Sequence, residues 1–141
     1  IFDRDHTEMT YAAAEFLCDR FAGVVIVTPR DRIASDCSLI NRQKIYHRLH
    51  TRGVNIIANH EPINCDQLDQ GLLSIRNIYN NAVVELHDIS AITYSNSRTP
   101  NDQLLQPLKA AGFVVVCVGD CFAPRSLLAA TGQGFSVGCD I

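Results

Sequence analysis

The stretch Ala12-Ala13-Ala14-Glu15-Phe16-Leu17-Cys18-Asp19-Arg20-Phe21-Ala22-Gly23-Val24-Val25-Ile26-Val27-Thr28-Pro29 decides the fold. Its first half carries apolar residues at helical spacing on alanine-rich backbone, which predicts a helix from about Thr7 to Phe21, and Gly23 stands where a left-handed stop belongs. Its second half is a β-branched run closed by Thr28-Pro29. A run of that kind, with no polar alternation, suits a strand covered on both faces in a parallel sheet. Ile1-Phe2, an apolar pair followed at once by charge, reads as the end of an earlier strand, so the order is β-α-β and the chain is expected to be a piece of a longer one.

Working outward, Leu39, Ile40, Ile45, Tyr46 and Leu49 repeat at helical spacing among Arg42, Lys44, Arg48 and Arg52, and Gly53 ends them before Val54-Asn55-Ile56-Ile57-Ala58. That adds a second helix and a third strand. The rhythm then changes. Leu72 to Tyr79 and Ala82 to Leu86 read as two strands about the turn Asn80-Asn81, and Ile89 to Tyr94 as a further strand of an antiparallel meander. A short helix through Leu104, Leu105 and Leu108 stops at Gly112. Phe113-Val114-Val115-Val116-Cys117-Val118, the most apolar strand predicted, leads into Gly119-Asp120, and Pro124 opens a last helix. The predicted fold class is α/β: a Rossmann-like three-layer domain with a parallel sheet and an antiparallel β-meander.

Composition limits the function classes. With 141 residues, 47% hydrophobic and 19% charged, the chain can bury a core, which excludes disorder. A net charge of -3 without a basic run argues against nucleic acid as a partner. No apolar run reaches the length of a membrane helix, and the polar opening is no signal peptide. The six cysteines form no CxxC pair and read as free thiols of a reducing, cytoplasmic compartment.

Three places could carry chemistry. In a dinucleotide fold, glycines after the first strand let backbone approach a pyrophosphate at the helix N-terminus. Here that turn holds Asp3, Arg4, Asp5, His6, Thr7, Glu8, Met9 and Thr10, with no glycine and three carboxylates. After the second strand come Thr28, Arg30 and Arg32; the arginines either favour a 2′-phosphate, as NADP(H) carries, or are solvated loop residues. Asp120, behind Gly119, either accepts from hydroxyls of a ribose or ribityl chain or caps the helix that follows, and Arg125 either pairs with phosphate or makes a structural ion pair. No catalytic triad, P-loop or metal-ligand spacing is found: His47 and His50 lie three apart on a helix but lack further ligands, and Cys117 and Cys121 read as two independent thiols.

Val25-Ile26-Val27-Thr28-Pro29, Arg98-Thr99-Pro100-Asn101-Asp102 and above all Val118-Gly119-Asp120-Cys121-Phe122-Ala123-Pro124-Arg125 give the chain its family resemblance. Over nearly its whole length it resembles the C-terminal half of the trimethylamine dehydrogenase family, which includes 2,4-dienoyl-CoA reductase, histamine dehydrogenase and N-methylproline demethylase-like NADH:flavin oxidoreductases. The resemblance implies an enzyme whose N-terminal (β/α)8 barrel binds FMN, with a 4Fe-4S cluster as electron relay, neither encoded in these residues. It implies that residues 1–105 form an NAD(P)H-binding-type domain and 106–141 the closing segment of an FAD- or ADP-binding-type domain, as in glutathione-reductase-like flavoproteins. Cofactor contacts would come from Asp3, His6, Thr10, Thr28, Arg30 and Arg32 in the first part and from Gly119, Asp120, Ala123 and Arg125 in the second. Partners implied are the nucleotide, the barrel of the same polypeptide and a second copy of the chain; the isolated piece is expected to be inactive. Family members commonly carry glycine where this chain has His6 and Thr10, and side chains there restrict positive φ and close phosphate approach. The competing reading is a non-catalytic α/β domain that has lost nucleotide binding and serves packing or oligomer contacts.

Overall fold

A computed structural model describes residues 1–140. They divide into two compact units, Ile1–Ser97 and Arg98–Ile141; the stretch 98–105, which the sequence assigns to the first domain, falls in the second unit.

In the first unit, strand β1 (Phe2–Asp3), helix α1 (Glu8–Cys18), β2 (Val25–Val27), α2 (Leu39–Thr51) and β3 (Asn55–Ile57) follow the predicted β-α-β-α-β order. Next come β4 (His60–Asn64), β5 (Leu73–Asn77), β6 (Val83–Leu86) and β7 (Tyr94–Ser95). The first sheet is parallel throughout, in the order β3-β2-β1-β7; β4, β5 and β6 form a separate antiparallel sheet in that order. Side-chain alternation along β2 assigns the layers. Ile26 points to a core with Tyr11, Ala14, Ile33, Ile45, Leu49 and Val54, which joins α1 and α2 to the sheet. Val25 and Val27 point the other way, where Val27 packs with the buried Leu73 and Ile75 of β5. This is the three-layer α/β arrangement expected.

Helix ends follow local chemistry. Ser38 caps α2, its hydroxyl accepting from the Asn41 N–H at 3.3 Å, and Gly53 closes it at φ +72° with its N–H on the His50 carbonyl. Helix α1 stops at Cys18, short of the predicted Phe21, and the chain crosses to β2 through a turn at Asp19–Arg20.

Three predicted elements are corrected. The third strand of the meander precedes the hairpin: it is β4, hidden in sequence by Pro62, which sits beside a register shift in the ladder where its missing N–H is tolerated. Residues 89–93 are not a strand; only Tyr94–Ser95 pairs, and it joins β1 in parallel. The predicted strand Phe113–Val118 forms no ladder. The second unit, with α3 (Leu105–Ala110), a 3-10 turn at Gly119–Cys121 and α4 (Leu127–Asp140), has no other strand among the described residues to satisfy its backbone, and Val114 is 98% exposed.

Candidate functional site

Chain order reverses at β1, which has β2 on one side and β7 on the other, and ligands of open α/β sheets bind beyond the C-terminal ends of strands at such a point. Asp3 ends β1 there and is fully buried. Its Oδ2 accepts from the Tyr11 hydroxyl at 2.7 Å, and its Oδ1 from the His6 N–H at 3.0 Å and the Ser95 hydroxyl at 3.4 Å. The Tyr11 hydroxyl in turn accepts from the Ala34 N–H, tying the loop after β2 to the same cluster. Burial, reinforced by the hydrogen bond to Asp3, pushes the Tyr11 phenol above its ordinary range.

Beside this cluster, Asp5 closes the N-terminal turn of α1. Its Oδ1 accepts from the Thr7 N–H at 3.0 Å and the Thr10 hydroxyl at 2.7 Å, and its Oδ2 from the Thr7 hydroxyl at 3.0 Å. Burial works against its ionisation, but these hydrogen bonds outweigh it and hold the carboxyl below its ordinary value. His6, between the two acids, is fully buried at φ +55°, and neither ring nitrogen has a hydrogen-bond partner; Nδ1 lies 3.4 Å from Asp3 Oδ2 without hydrogen-bonding alignment. Burial lowers its pKa despite the opposing pull of Asp3, and Arg30 lowers it further, so the ring is neutral near pH 7.

The structure thus brings Asp3, His6 and Thr10 into one turn, all buried, with Thr28 buried at the end of β2. Thr28 is held by its own loop, its hydroxyl accepting from the Arg30 N–H at 3.3 Å. Arg30 and Arg32 are half-exposed and paired, Arg30 with Asp36 at 3.5 Å and Arg32 with Asp31 at 3.4 Å. Asp5, Tyr11 and Ser95 were not singled out in the sequence; of these only Asp5 has a local signal, the Asp-x-Thr spacing of a side chain that bonds its own backbone. An apolar cavity of about 180 Å³ lies among Phe2, Leu17, Val27, Leu73, Leu86 and Ile92, and no residue of the polar turn lines it.

The second group of residues lies in the unit Arg98–Ile141. Gly119 is buried at φ +61°; its N–H donates to Gln133 Oε1 of α4 at 2.8 Å, and its carbonyl accepts from the N–H groups of Phe122 and Ala123. A Cβ at Gly119 would stand 3.1 Å from the Ala130 Cβ, so the close packing of turn on helix requires glycine. Asp120 and Arg125 are exposed and Ala123 is half-buried. The helix is capped by the Ser126 hydroxyl, which accepts from the Ala129 N–H at 3.2 Å, so the capping alternative for Asp120 does not apply. The Arg125 carbonyl accepts from the Arg98 guanidinium at 3.3 Å. All six cysteines are free, and among the described residues no group of His, Cys, Asp or Glu is arranged to hold a metal ion. No helix among them is long and apolar enough to cross a membrane.

No family model and no curated protein matches the sequence. Solved structures do match its fold. Histamine dehydrogenase from Rhizobium sp. 4-9 superposes with a TM-score of 0.79 at 24% identity, over 99% of this chain and 22% of its own. A 2-naphthoyl-CoA reductase, solved with 2-naphthoyl-CoA, gives 0.73 at 17% identity, over 99% of this chain and 20% of its own. Thioredoxin reductase from Lactococcus lactis gives 0.63 at 19% identity, over 99% of this chain and 50% of its own. The chain therefore spans about a fifth of the first two and half of the third, and it has the fold of a segment of these oxidoreductases.

Proposed function

We propose that this chain is part of an FMN- and iron–sulfur-dependent NADH:flavin oxidoreductase of amine dehydrogenase, demethylase or enoyl reductase type, to which it supplies the dinucleotide-binding-type domain and the closing segment of a second one. The observation that carries this reading is the superposition of 99% of the chain on histamine dehydrogenase, a protein about five times as long, together with the glycine-dependent turn at Gly119-Asp120. In this reading FMN and the 4Fe-4S cluster are held by other parts of the polypeptide, including a (β/α)8 barrel, and the intact protein is a cytoplasmic homo-oligomer.

The residues of the second unit fit an ADP or FAD hydroxyl. Gly119 lets the turn approach α4 at a distance where an added Cβ would be tight against Ala130, and the exposed Asp120 carboxylate behind it is free to accept from vicinal hydroxyls. The flavin supplies the hydride and electron chemistry when bound. What this chain would contribute is binding and orientation: Asp120 would hold the sugar or ribityl chain, and Ala123 and Arg125 would stand on the phosphate side, Arg125 with a balancing charge.

Calorimetric titration of the 141-residue chain with ADP, NADH and NADPH tests the assignment. Saturable micromolar binding that Asp120→Ala abolishes is expected; silence with all three nucleotides would sink it. No turnover is expected from the isolated chain, and NADH oxidation without added flavin would contradict the division of labour. A second reading, a domain serving only packing or oligomer contacts, draws its support from the first unit, where side chains fill the turn after β1.

A further inference from the structure

A phosphate at a helix N-terminus is held by backbone N–H groups, by nearby hydroxyls and by the positive end of the helix dipole. In the β1–α1 turn one backbone N–H and two hydroxyls of this kind already have an acceptor. The Asp5 carboxylate takes the Thr7 N–H, the Thr7 hydroxyl and the Thr10 hydroxyl, all within 3.0 Å, and it carries the negative charge that the helix end attracts. A second observation in the same turn points to the same vacated role. The His6 ring is fully buried with both nitrogens lacking partners, and it fills the turn at a backbone φ of +55° that glycine would adopt without strain.

We infer that Asp5 determines the specificity of this turn: its carboxylate stands in for phosphate at α1, and with the His6 ring it excludes the diphosphate of a dinucleotide. The inference rests on reading the first unit as a nucleotide-binding-type domain, and it assigns any nucleotide bound by the chain to a different place. An incoming diphosphate would have to break three hydrogen bonds and approach the carboxyls of both Asp3 and Asp5. Arg30 does not compensate, because it is turned to Asp36.

The test uses the 141-residue chain in an Asp120→Ala background, so that binding at the second unit is removed and a loss there speaks only to the proposed function above. The probes are inorganic pyrophosphate, ADP and NADH, followed by calorimetry, with circular dichroism confirming that each variant is folded. The background chain is expected to give no saturable heat. Asp5→Asn, which keeps the size of the side chain, and Asp5→Gly combined with His6→Gly are expected to give saturable binding of pyrophosphate and ADP, at least about tenfold tighter than the weakest affinity the background titration would detect. Equal affinity with and without Asp5, or no binding by any folded variant, would overturn the inference. A measurement that needs no variant at this turn stands beside it: the Asp5 carboxyl, followed by carbon NMR across the acid range, should titrate below the ordinary aspartate value, and an ordinary value would mean that the three hydrogen bonds are not made.

Discussion

Two turns in this molecule join the end of an extended segment to a helix, and they are closed by opposite means. At Gly119-Asp120 the chain uses glycine: φ is +61°, the turn packs 3.1 Å (as an added Cβ would measure it) from Ala130, and the acidic side chain is left in solvent. At Asp3-Arg4-Asp5-His6 there is no glycine: a histidine takes the positive φ, and two acidic side chains are turned inward onto Tyr11, Thr7 and Thr10. The first leaves its carboxylate in solvent, while the N–H groups of Gly119, Phe122 and Ala123 are taken up within the unit. The second spends its carboxylates on its own donors. Position in a nucleotide-type fold is therefore a weaker guide to binding than the hydrogen-bond inventory of the turn.

The sharpest way to break the comparison is to empty the closed turn. Asp3→Ala leaves the Tyr11 hydroxyl and the His6 N–H buried without their acceptor, and two such orphans cost roughly 3 kcal/mol. The chain has no tryptophan and Tyr11, Tyr46, Tyr79 and Tyr94 all lie in the first unit, so urea unfolding followed by tyrosine fluorescence reads that unit alone. A loss below about 1 kcal/mol would mean that water already serves these groups and that the turn is open.

The open turn is tested by adding a side chain. Gly119→Ala forces a non-glycine residue to φ +61° and a contact with Ala130, a cost of about 2 kcal/mol, read as faster hydrogen exchange along α4. Gly53→Ala is the control: it has a similar φ of +72° but nothing within 4 Å of the new Cβ, so the cost should fall to about 1 kcal/mol of backbone strain alone. Equal losses at the two positions would remove the packing argument for Gly119. A smaller effect belongs to Thr10→Val, which deletes the 2.7 Å bond to Asp5 and should cost about 1 kcal/mol while raising the Asp5 pKa toward its ordinary value.

How much of this was legible in the sequence depended on whether a signal was local. The β-branched run at Val24–Val27, the alanine-rich α1 and the Gly53-stopped α2 each carry their own pattern, so the β-α-β-α-β order could be read directly, although α1 is capped at Asp19 rather than at Gly23. β4 could not, because Pro62 and its polar neighbours break the alternation that marks a half-buried strand, and only pairing with β5 makes it one. Phe113–Val118 failed the other way: its composition is that of a buried strand, but a strand exists only through a neighbour, and its unit contains none among the described residues. At the site, the absence of glycine in the first turn was visible, and a side chain there was expected to restrict positive φ; His6 adopts φ +55° nonetheless. The role of Asp5 was not. Read along the sequence it is one more negative charge; its function is a set of directed acceptors, which depends on where Thr7 and Thr10 fall once the helix has formed.

The finest test concerns acid. His6 is held below its ordinary pKa of 6.5 by burial, while an unfolded chain takes up the proton near that value. The unfolded state therefore binds more protons once pH drops through about 6.5, and stability should be complete above that point and decline as pH falls toward the folded value. Asp5 acts in a second, lower window: its folded pKa lies below 3.8, so its contribution is present above that value and is lost as pH falls through the folded one. His6→Asn separates the two, because asparagine tolerates a φ of +55° and does not titrate. Urea midpoints at about pH 7 and about pH 5.5 should differ more in the parent chain than in the variant, where the partly buried Ile1 amino group, also held below its ordinary value, leaves a smaller slope, while the loss near pH 4 and below remains in both. If the upper slope survived undiminished in His6→Asn, the proton would be entering elsewhere, and the histidine of the closed turn would not be the buried neutral group that its unpartnered nitrogens make it.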